Sequence, residues 1–213
     1  MSSVSNSSAQ LFYVHDPMCS WCWGYRPTWQ VLQQALKQRF PTLTINYLVG
    51  GLATDSNDPM PRDMQQLLKQ TWQKIADQLD TTFNFDFWDL CQPRRSTYPA
   101  CRASLVAREF GLEKEMIFAI QEAYYLQAKN PSDDSTLVAL AGEIGLDKIA
   151  FKEQLTSPLI EQKLVDEITQ ARSLPIQGFP SLVLRINQKD KAIPLDYHHW
   201  ESSFEEIEKA LQK

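Results

Sequence analysis

The chain has 213 residues, of which 43% are hydrophobic and 11% aromatic, and its formal net charge is −5. This composition excludes a disordered or collagen-like chain, because the apolar residues suffice for a core and the 7 glycines follow no period. The lysines and arginines are scattered and no apolar stretch approaches ~20 residues, so we predict no nucleic-acid partner and no membrane partner.

The N-terminal segment, Met1 to Gln10, is rich in serine and uncharged. It lacks the basic flank and the apolar stretch of a secretory signal. If Met1 is the native start, the protein is expected in the cytoplasm. An exported protein whose leader was removed is the alternative left open.

The next elements follow the order strand, helix, strand. Residues 10–15 and 43–49 are β-rich runs, and residues 20–40 show helical spacing of apolar side chains with Pro27 inside the helix. A crossover of this length predicts that the two strands are parallel.

After a polar loop at residues 53–61, the pattern changes to helix upon helix. The predicted helices cover residues 62–79, 88–91, 99–110, 113–128, 135–144 and 148–169, the last with a break near Pro158. A hairpin of residues 181–186 and 191–195 and a helix at 200–211 complete the chain. We predict an α/β fold with a βαβ half and a ββα half, separated by about a hundred mostly helical residues.

The motif Cys19-Ser20-Trp21-Cys22 lies between the first strand and the first helix. At a helix N-terminus the first amides are unpaired and the macrodipole is positive, so a thiolate at Cys19 would be stabilised and largely ionised at neutral pH. Cys22, one turn into the helix, could then attack a mixed disulfide formed at Cys19. Trp21 is expected to face solvent, where it could contact a peptide substrate.

Half of a zinc site is the main alternative for this pair, but it needs two more soft ligands. Cys91 and Cys101 form no second close pair, and the rings of His198 and His199 would point to different faces of a strand. We therefore predict no metal site and no cofactor beyond the redox-active cysteine pair. Cys91 and Cys101 are most simply small buried hydrophobes, with a regulatory disulfide between them as the alternative.

The order of elements, the Cys-x-x-Cys motif and a later Gly-x-Pro before a hairpin resemble the thioredoxin fold. The helical insertion is similar to that of the DsbA family. Within that family, residues 16–24, 96–102, 134–141 and 145–147 resemble the branch of cytoplasmic DsbA-like proteins often called predicted disulfide isomerases, which is related to the FrnE-type proteins. The resemblance implies one domain over residues 1–213, with a thioredoxin core at about 10–52 and 160–213 and the helical insertion at about 53–159.

The resemblance also implies residue roles. Cys19 would be the exposed nucleophile of a thiol–disulfide oxidoreductase of the reductase or isomerase type, and Cys22 the resolving thiol. Pro180, after Phe179, looks like the family's cis-proline, which packs against the disulfide while its neighbours' backbone meets the substrate. Without the resemblance, Pro180 would be a proline at a strand start. Implied partners are protein or peptide disulfides and thiols, with glutathione as a further co-substrate.

One position departs from the family pattern. Thioredoxin-like proteins often carry a buried acid six residues before the nucleophile, where this chain has Tyr13. His15 and Asp16 are nearer to the motif and could supply a proton route, although strand alternation could point one of them away. A hydrogen-bonded structural histidine is an equally good interpretation of His15.

Further residues are candidates for the substrate groove. Ser20 lies between the two cysteines, and Trp23, like Trp21, could contact a peptide. Tyr98 and Arg102 lie near the start of a predicted helix and could border the same groove. A purely structural role is an equally good interpretation of Tyr98 and Arg102.

Two other functions compete with disulfide exchange. One is a glutathione-dependent transferase or isomerase of the kappa-class or hydroxychromene-carboxylate isomerase type. Those relatives typically place serine where Cys19 stands, so the intact pair counts against this function. The other is a non-catalytic thioredoxin-fold adaptor that uses the groove as a docking surface. Alkylation of Cys19 should abolish enzyme activity but leave the partner binding of an adaptor nearly intact.

Overall fold

The computed structural model describes residues 9–212; residues 1–8 of the serine-rich segment and Lys213 lie outside the described residues. A four-stranded sheet has the order β2-β1-β3-β4. Strand β1 (Gln10–His15) is parallel to β2 (Thr44–Val49) and antiparallel to β3 (Ser181–Ile186), and β3 is antiparallel to β4 (Lys189–Ile193). The predicted parallel pair and the predicted hairpin are both confirmed.

Helices account for most of the remaining described chain. They are α1 (Ser20–Arg39), α2 (Arg62–Leu79), α3 (Phe87–Leu90), α4 (Tyr98–Arg108), α5 (Glu113–Tyr125), α6 (Asp134–Glu143), α7 (Lys148–Leu155), α8 (Pro158–Ser173) and α9 (Trp200–Leu211). Within residues 9–212, no helix combines the length and the apolarity that a membrane span requires.

Two predicted elements differ from the structure. The break predicted near Pro158 is confirmed, since α7 ends at Leu155 and the Ser157 side chain accepts the Ile160 N–H at 3.3 Å where α8 begins, but α8 runs to Ser173 and not to 169. The second strand of the hairpin was predicted at 191–195 but runs from 189 to 193. The reason is a tight turn at Asn187 and Gln188, whose φ angles of 50° and 62° are left-handed.

The alternation of β1 separates two cores. Leu11 and Tyr13 pack with side chains of α1 and α9 on one face of the sheet, while Phe12 and Val14 pack with Ala171 of α8 on the other. A third core around Trp72 joins the helices α2 to α8 and also includes side chains from the start of α1. The start of α1 therefore lies where the sheet half meets the helical half.

Candidate active site

Cys19 lies between β1 and α1, immediately before the first residue of α1. It is the N-cap of α1, and its Sγ accepts the N–H of Cys22 at 3.3 Å. Its own N–H donates to the Asp16 carbonyl at 3.0 Å, which fixes the turn before the helix. The first turn of α1 contains no acidic residue. The positive end of the helix is therefore directed at the sulfur.

Cys22 lies directly behind Cys19 and is fully buried. Burial raises the pKa of the Cys22 thiol well above its usual value, and the adjacent Cys19 sulfur raises this pKa further. Both cysteines are free thiols in the structure. Cys22 is thus a protonated thiol at neutral pH.

The loop of Phe179 and Pro180 closes over Cys19. The Cys19 Sγ donates to the Phe179 carbonyl at 3.4 Å, and the Phe179–Pro180 peptide bond is cis. Cys19 is only 6% exposed, so the expectation of an exposed nucleophile was wrong. The covering loop is the physical reason. The Phe179 ring in turn lies against Gly50, where an added Cβ would come within 2.0 Å of two ring carbons.

Cys19 nevertheless opens into a cavity of about 210 Å³, which we call the Cys19 cleft. Met18, Ser20, Trp21 and Phe179 line it from the sheet half. The helical half and its preceding loop supply the other wall: Leu52, Met60, Leu68, Thr71, Trp72, Arg94, Arg95, Thr97 and Tyr124. Sequence reasoning missed this second wall, because its residues carry no motif and only tertiary packing brings them to Cys19.

Trp21 is half-buried at the edge of the cleft. Its ring makes an edge contact with the Tyr197 ring at 5.4 Å, and the Lys74 ammonium lies 5.8 Å from its centroid. The ring therefore contributes surface to the cleft and is held in place by a neighbour. Ser20, beside it, is also half-buried and lines the cleft.

Three predicted groove residues lie elsewhere. Trp23 is 8% exposed, stacks on Tyr125 at 5.6 Å and donates its Nε1–H to the Thr82 carbonyl. It points away from Trp21 because residues two apart on a helix face nearly opposite directions. Arg102 is held away by ion pairs with Asp55 and Glu161. The Tyr98 ring lies against Gly51, where an added Cβ would come within 2.8 Å of it. None of the three lines the Cys19 cleft in the described part of the chain.

His15 does not join the cysteines either. Its ring stacks on Tyr13 at 5.3 Å and meets the edge of Tyr47, and neither ring nitrogen has a hydrogen-bond partner among residues 9–212. Burial, together with the smaller effect of the nearby Arg108 charge, lowers the pKa of His15 to about 3. His15 is therefore neutral near pH 7. The interpretation as a hydrogen-bonded histidine was wrong, and the proton-route role stays a prediction.

Asp16 connects the site to the helical half. Its Oδ1 accepts the Met18 N–H at 2.8 Å, and its Oδ2 accepts the Leu52 N–H at 2.8 Å and the Thr97 hydroxyl at 2.7 Å. The Cys101 thiol also donates to Oδ2, at 3.5 Å. Burial raises the pKa of Asp16, while these donors oppose the rise. The carboxyl group fixes the loop before Cys19 against two other segments.

The other two cysteines behave differently from each other. Cys101 is fully buried and bonded to Asp16, whereas Cys91 is only half-buried and donates to the Ala128 carbonyl at 2.9 Å. Both are free thiols. The prediction that both cysteines are small buried hydrophobic residues is therefore confirmed for the burial of Cys101 but was wrong for Cys91. In the part of the chain that the structure describes, no three His, Cys, Asp or Glu side chains are grouped as metal ligands.

Comparisons with known proteins agree with this architecture. The chain is 26% identical to a proposed protein disulfide isomerase from Nitrosomonas europaea, with a TM-score of 0.82 over 96% of this chain and 98% of the other. The cytosolic disulfide reductase DsbM of Pseudomonas aeruginosa is 23% identical and has the same fold, with a TM-score of 0.73 over 95% and 98% of the two chains. A second structure of DsbM contains GSH.

A further relative is the ClpXP adapter protein SpxH of Bacillus subtilis, 25% identical over 202 residues, which are 93% of this chain and 66% of SpxH. The chain thus spans slightly less than two thirds of that relative's length. The family of DSBA-like thioredoxin domains matches residues 11–211. The predicted thioredoxin-like α/β fold with a large helical insertion is confirmed, and the chain belongs to the DSBA-like thioredoxin domain family.

Proposed function

We propose that this protein is a thiol–disulfide oxidoreductase in which Cys19 is the nucleophile and Cys22 the resolving thiol. One observation carries the proposal: the Cys19 sulfur accepts the Cys22 N–H at the start of α1 and opens into the cleft, while Cys22 is buried directly behind it. A substrate sulfur entering the cleft would therefore meet Cys19 first.

The proposed exchange has two steps. The Cys19 thiolate attacks one sulfur of a substrate disulfide, a mixed disulfide forms, and the other substrate sulfur leaves as a thiolate. Cys22 then loses its proton and attacks the Cys19 sulfur, which releases the second substrate thiolate and forms the Cys19–Cys22 disulfide. The substrate gains two electrons. Two glutathione molecules can return the pair to the dithiol and leave as glutathione disulfide.

Asp16 is proposed as a positioning residue in this reaction. Its carboxylate bonds the Met18 amide just before the nucleophile, and it also bonds Leu52 and Thr97 in the wall of the cleft. Loss of these bonds would move Cys19 relative to the wall. Asp16→Asn should lower kcat, and its amide should shift the pH profile of the resolving step, an effect that a merely structural role would not produce.

The direction of exchange is proposed to be reduction or isomerisation in the cytoplasm. A compartment kept reducing by glutathione maintains most dithiols in the reduced form. DsbM, a cytosolic disulfide reductase of the same fold that is known with GSH, supports this direction. Protein or peptide disulfides are the proposed substrates, with glutathione as the reductant and no further cofactor.

Turnover measurements test the proposal. Reduction of an insulin disulfide by glutathione should be catalysed by the protein and abolished in Cys19→Ser. Cys91→Ser is the matched control, since it removes a half-buried thiol outside the cleft and should retain activity. Equal activity in Cys19→Ser and the parent would refute the proposal.

Adaptor function is the second candidate, because similarity to SpxH extends over 93% of this chain. An adaptor of that kind would deliver a protein to ClpXP through a docking surface and would not need a thiol. Purified ClpXP can be given a candidate cargo with and without this chain. Cargo degradation that is equally fast with the parent and with Cys19→Ser would favour the adaptor over the oxidoreductase.

A further inference from the structure

A second and larger cavity, of about 590 Å³, lies between α1 and α5 and reaches Tyr47 of β2. We call it the α1–α5 cavity. It shares no lining residue with the Cys19 cleft, and Cys22 is part of its wall. Its volume is that of sites for small organic ligands.

Positive charge is concentrated in this cavity. Arg26, Lys37 and Lys114 line it against a single acid, Glu115, in a chain whose net charge is −5. Among the described residues, none of the three cations forms an ion pair within 4.0 Å. Burial lowers the pKa of Lys114 and the charge of Lys37 lowers it further, while Glu113 and Glu115 oppose the shift. The two ammonium groups therefore repel each other, and an anion between them would relieve the repulsion.

Side-chain amides in the wall are the second, independent observation. Five carboxamides line the cavity: Gln30, Gln33, Gln34, Gln38 and Gln121. Gln121 is 3% exposed, yet its side chain makes no hydrogen bond to any residue of the described chain. The Gln121 amide atoms keep some access to solvent, so a polar group of a ligand in the cavity would find them without a competing hydrogen bond.

Flat apolar surface forms the remaining wall. The rings of Tyr13, Trp29, Tyr47 and Phe118 line the cavity. The Arg26 guanidinium lies 3.7 Å from the centroid of Phe118, which shows that a planar cationic group already packs on that face. Lys114 lies 4.9 Å from the Tyr47 centroid and donates to Gln33 at 2.9 Å. A cavity wall of aromatic rings, amides and cations suits a planar ligand that carries a carboxylate.

We propose that the α1–α5 cavity binds a small aromatic or heteroaromatic carboxylate, with the ring against the aromatic wall and the carboxylate between Lys37 and Lys114. The amide of Gln121 would bond a polar atom of the ligand. Since Cys22 lines the same cavity, the bound molecule would lie on the side of the resolving thiol that faces away from substrate. This site is independent of the proposed disulfide exchange.

Calorimetric titration tests the site with two probes of nearly equal shape, 2-naphthoate and the neutral 2-naphthamide, under dithiothreitol. We expect 2-naphthoate to bind at least tenfold more tightly. Lys37→Gln or Lys114→Gln should each weaken 2-naphthoate about tenfold, as loss of one charge-assisted bond would, and leave 2-naphthamide unchanged. Lys152→Gln, on exposed α7, is the matched control and should leave both affinities unchanged.

A second variant separates this site from the Cys19 cleft. Gln34→Trp adds bulk at an exposed position of the cavity wall and should abolish 2-naphthoate binding, while Cys19→Ser should leave it intact. Equal affinity for the two probes, unchanged binding in both lysine variants, or loss of binding in Cys19→Ser would overturn the proposal. None of these results would affect the test of disulfide exchange, which measures turnover of a different ligand.

Discussion

The contact between Gly50 and Phe179 gives the sharpest structural prediction. Gly50 directly follows β2 and donates its N–H to the His15 carbonyl at 2.7 Å, a bond that alanine would keep. Its backbone is not in the left-handed region, so only space limits the substitution. A Cβ there would lie 2.0 Å from two carbons of the Phe179 ring, whereas real Cβ contacts stay above 3.0 Å.

Gly50→Ala must therefore move the Phe179 ring by at least about 1 Å. Overpacking of this kind costs about 1–3 kcal/mol of unfolding free energy. The Phe179 carbonyl, which contacts the Cys19 sulfur at 3.4 Å, would move with the ring. We expect insulin reduction to fall by roughly tenfold to a hundredfold, the range that a misplacement of about 1 Å produces.

Gly178 provides the matched control. An added Cβ at Gly178, in the same loop as Phe179, would meet no atom within 4 Å. Gly178→Ala should therefore leave both the urea midpoint and the turnover close to those of the parent. The double variant Gly50→Ala/Phe179→Ala should lose less unfolding free energy than the two single variants lose when their losses are added. Parent-like stability and turnover in Gly50→Ala, or an equal loss in Gly178→Ala, would refute the reasoning.

The remaining predictions concern a buried histidine and two tryptophans. Because the pKa of His15 falls from 6.5 to about 3 on folding, its contribution to stability is complete above pH 6.5 and is lost as the pH falls toward 3. His15→Leu should flatten the dependence of the urea midpoint on pH over this range, and an unchanged slope would contradict the assignment. Trp21→Ala should raise the KM for a peptide disulfide at nearly unchanged stability, whereas Trp23→Ala should lower the unfolding free energy by about 3–5 kcal/mol. The opposite pattern in urea titrations and initial rates would contradict the two placements.

Local signals were sufficient to predict the elements around the motif. Period-two and helical spacing gave β1, β2 and α1 to within a residue. The position of Cys19 at the start of α1 followed from these elements alone. The cis bond before Pro180 was expected only from the family resemblance.

Side-chain direction and long-range packing were not predictable in the same way. Trp23 was grouped with Trp21, although a separation of two residues on a helix directs them apart. Arg102 has the charge expected of a groove residue, but Asp55 and Glu161, distant in sequence, hold it elsewhere. The second wall of the Cys19 cleft comes from residues that only the packing of the helical half brings together.

Trapping of the mixed disulfide tests the central claim most directly. Cys22→Ser, mixed with a peptide disulfide, should accumulate one covalent adduct, and peptide mapping by mass spectrometry should locate it on Cys19. The same treatment of Cys19→Ser should give no adduct at Cys22, whose sulfur is fully buried and remains protonated. An adduct located mainly on Cys91 or Cys101, or no adduct in Cys22→Ser, would contradict the account.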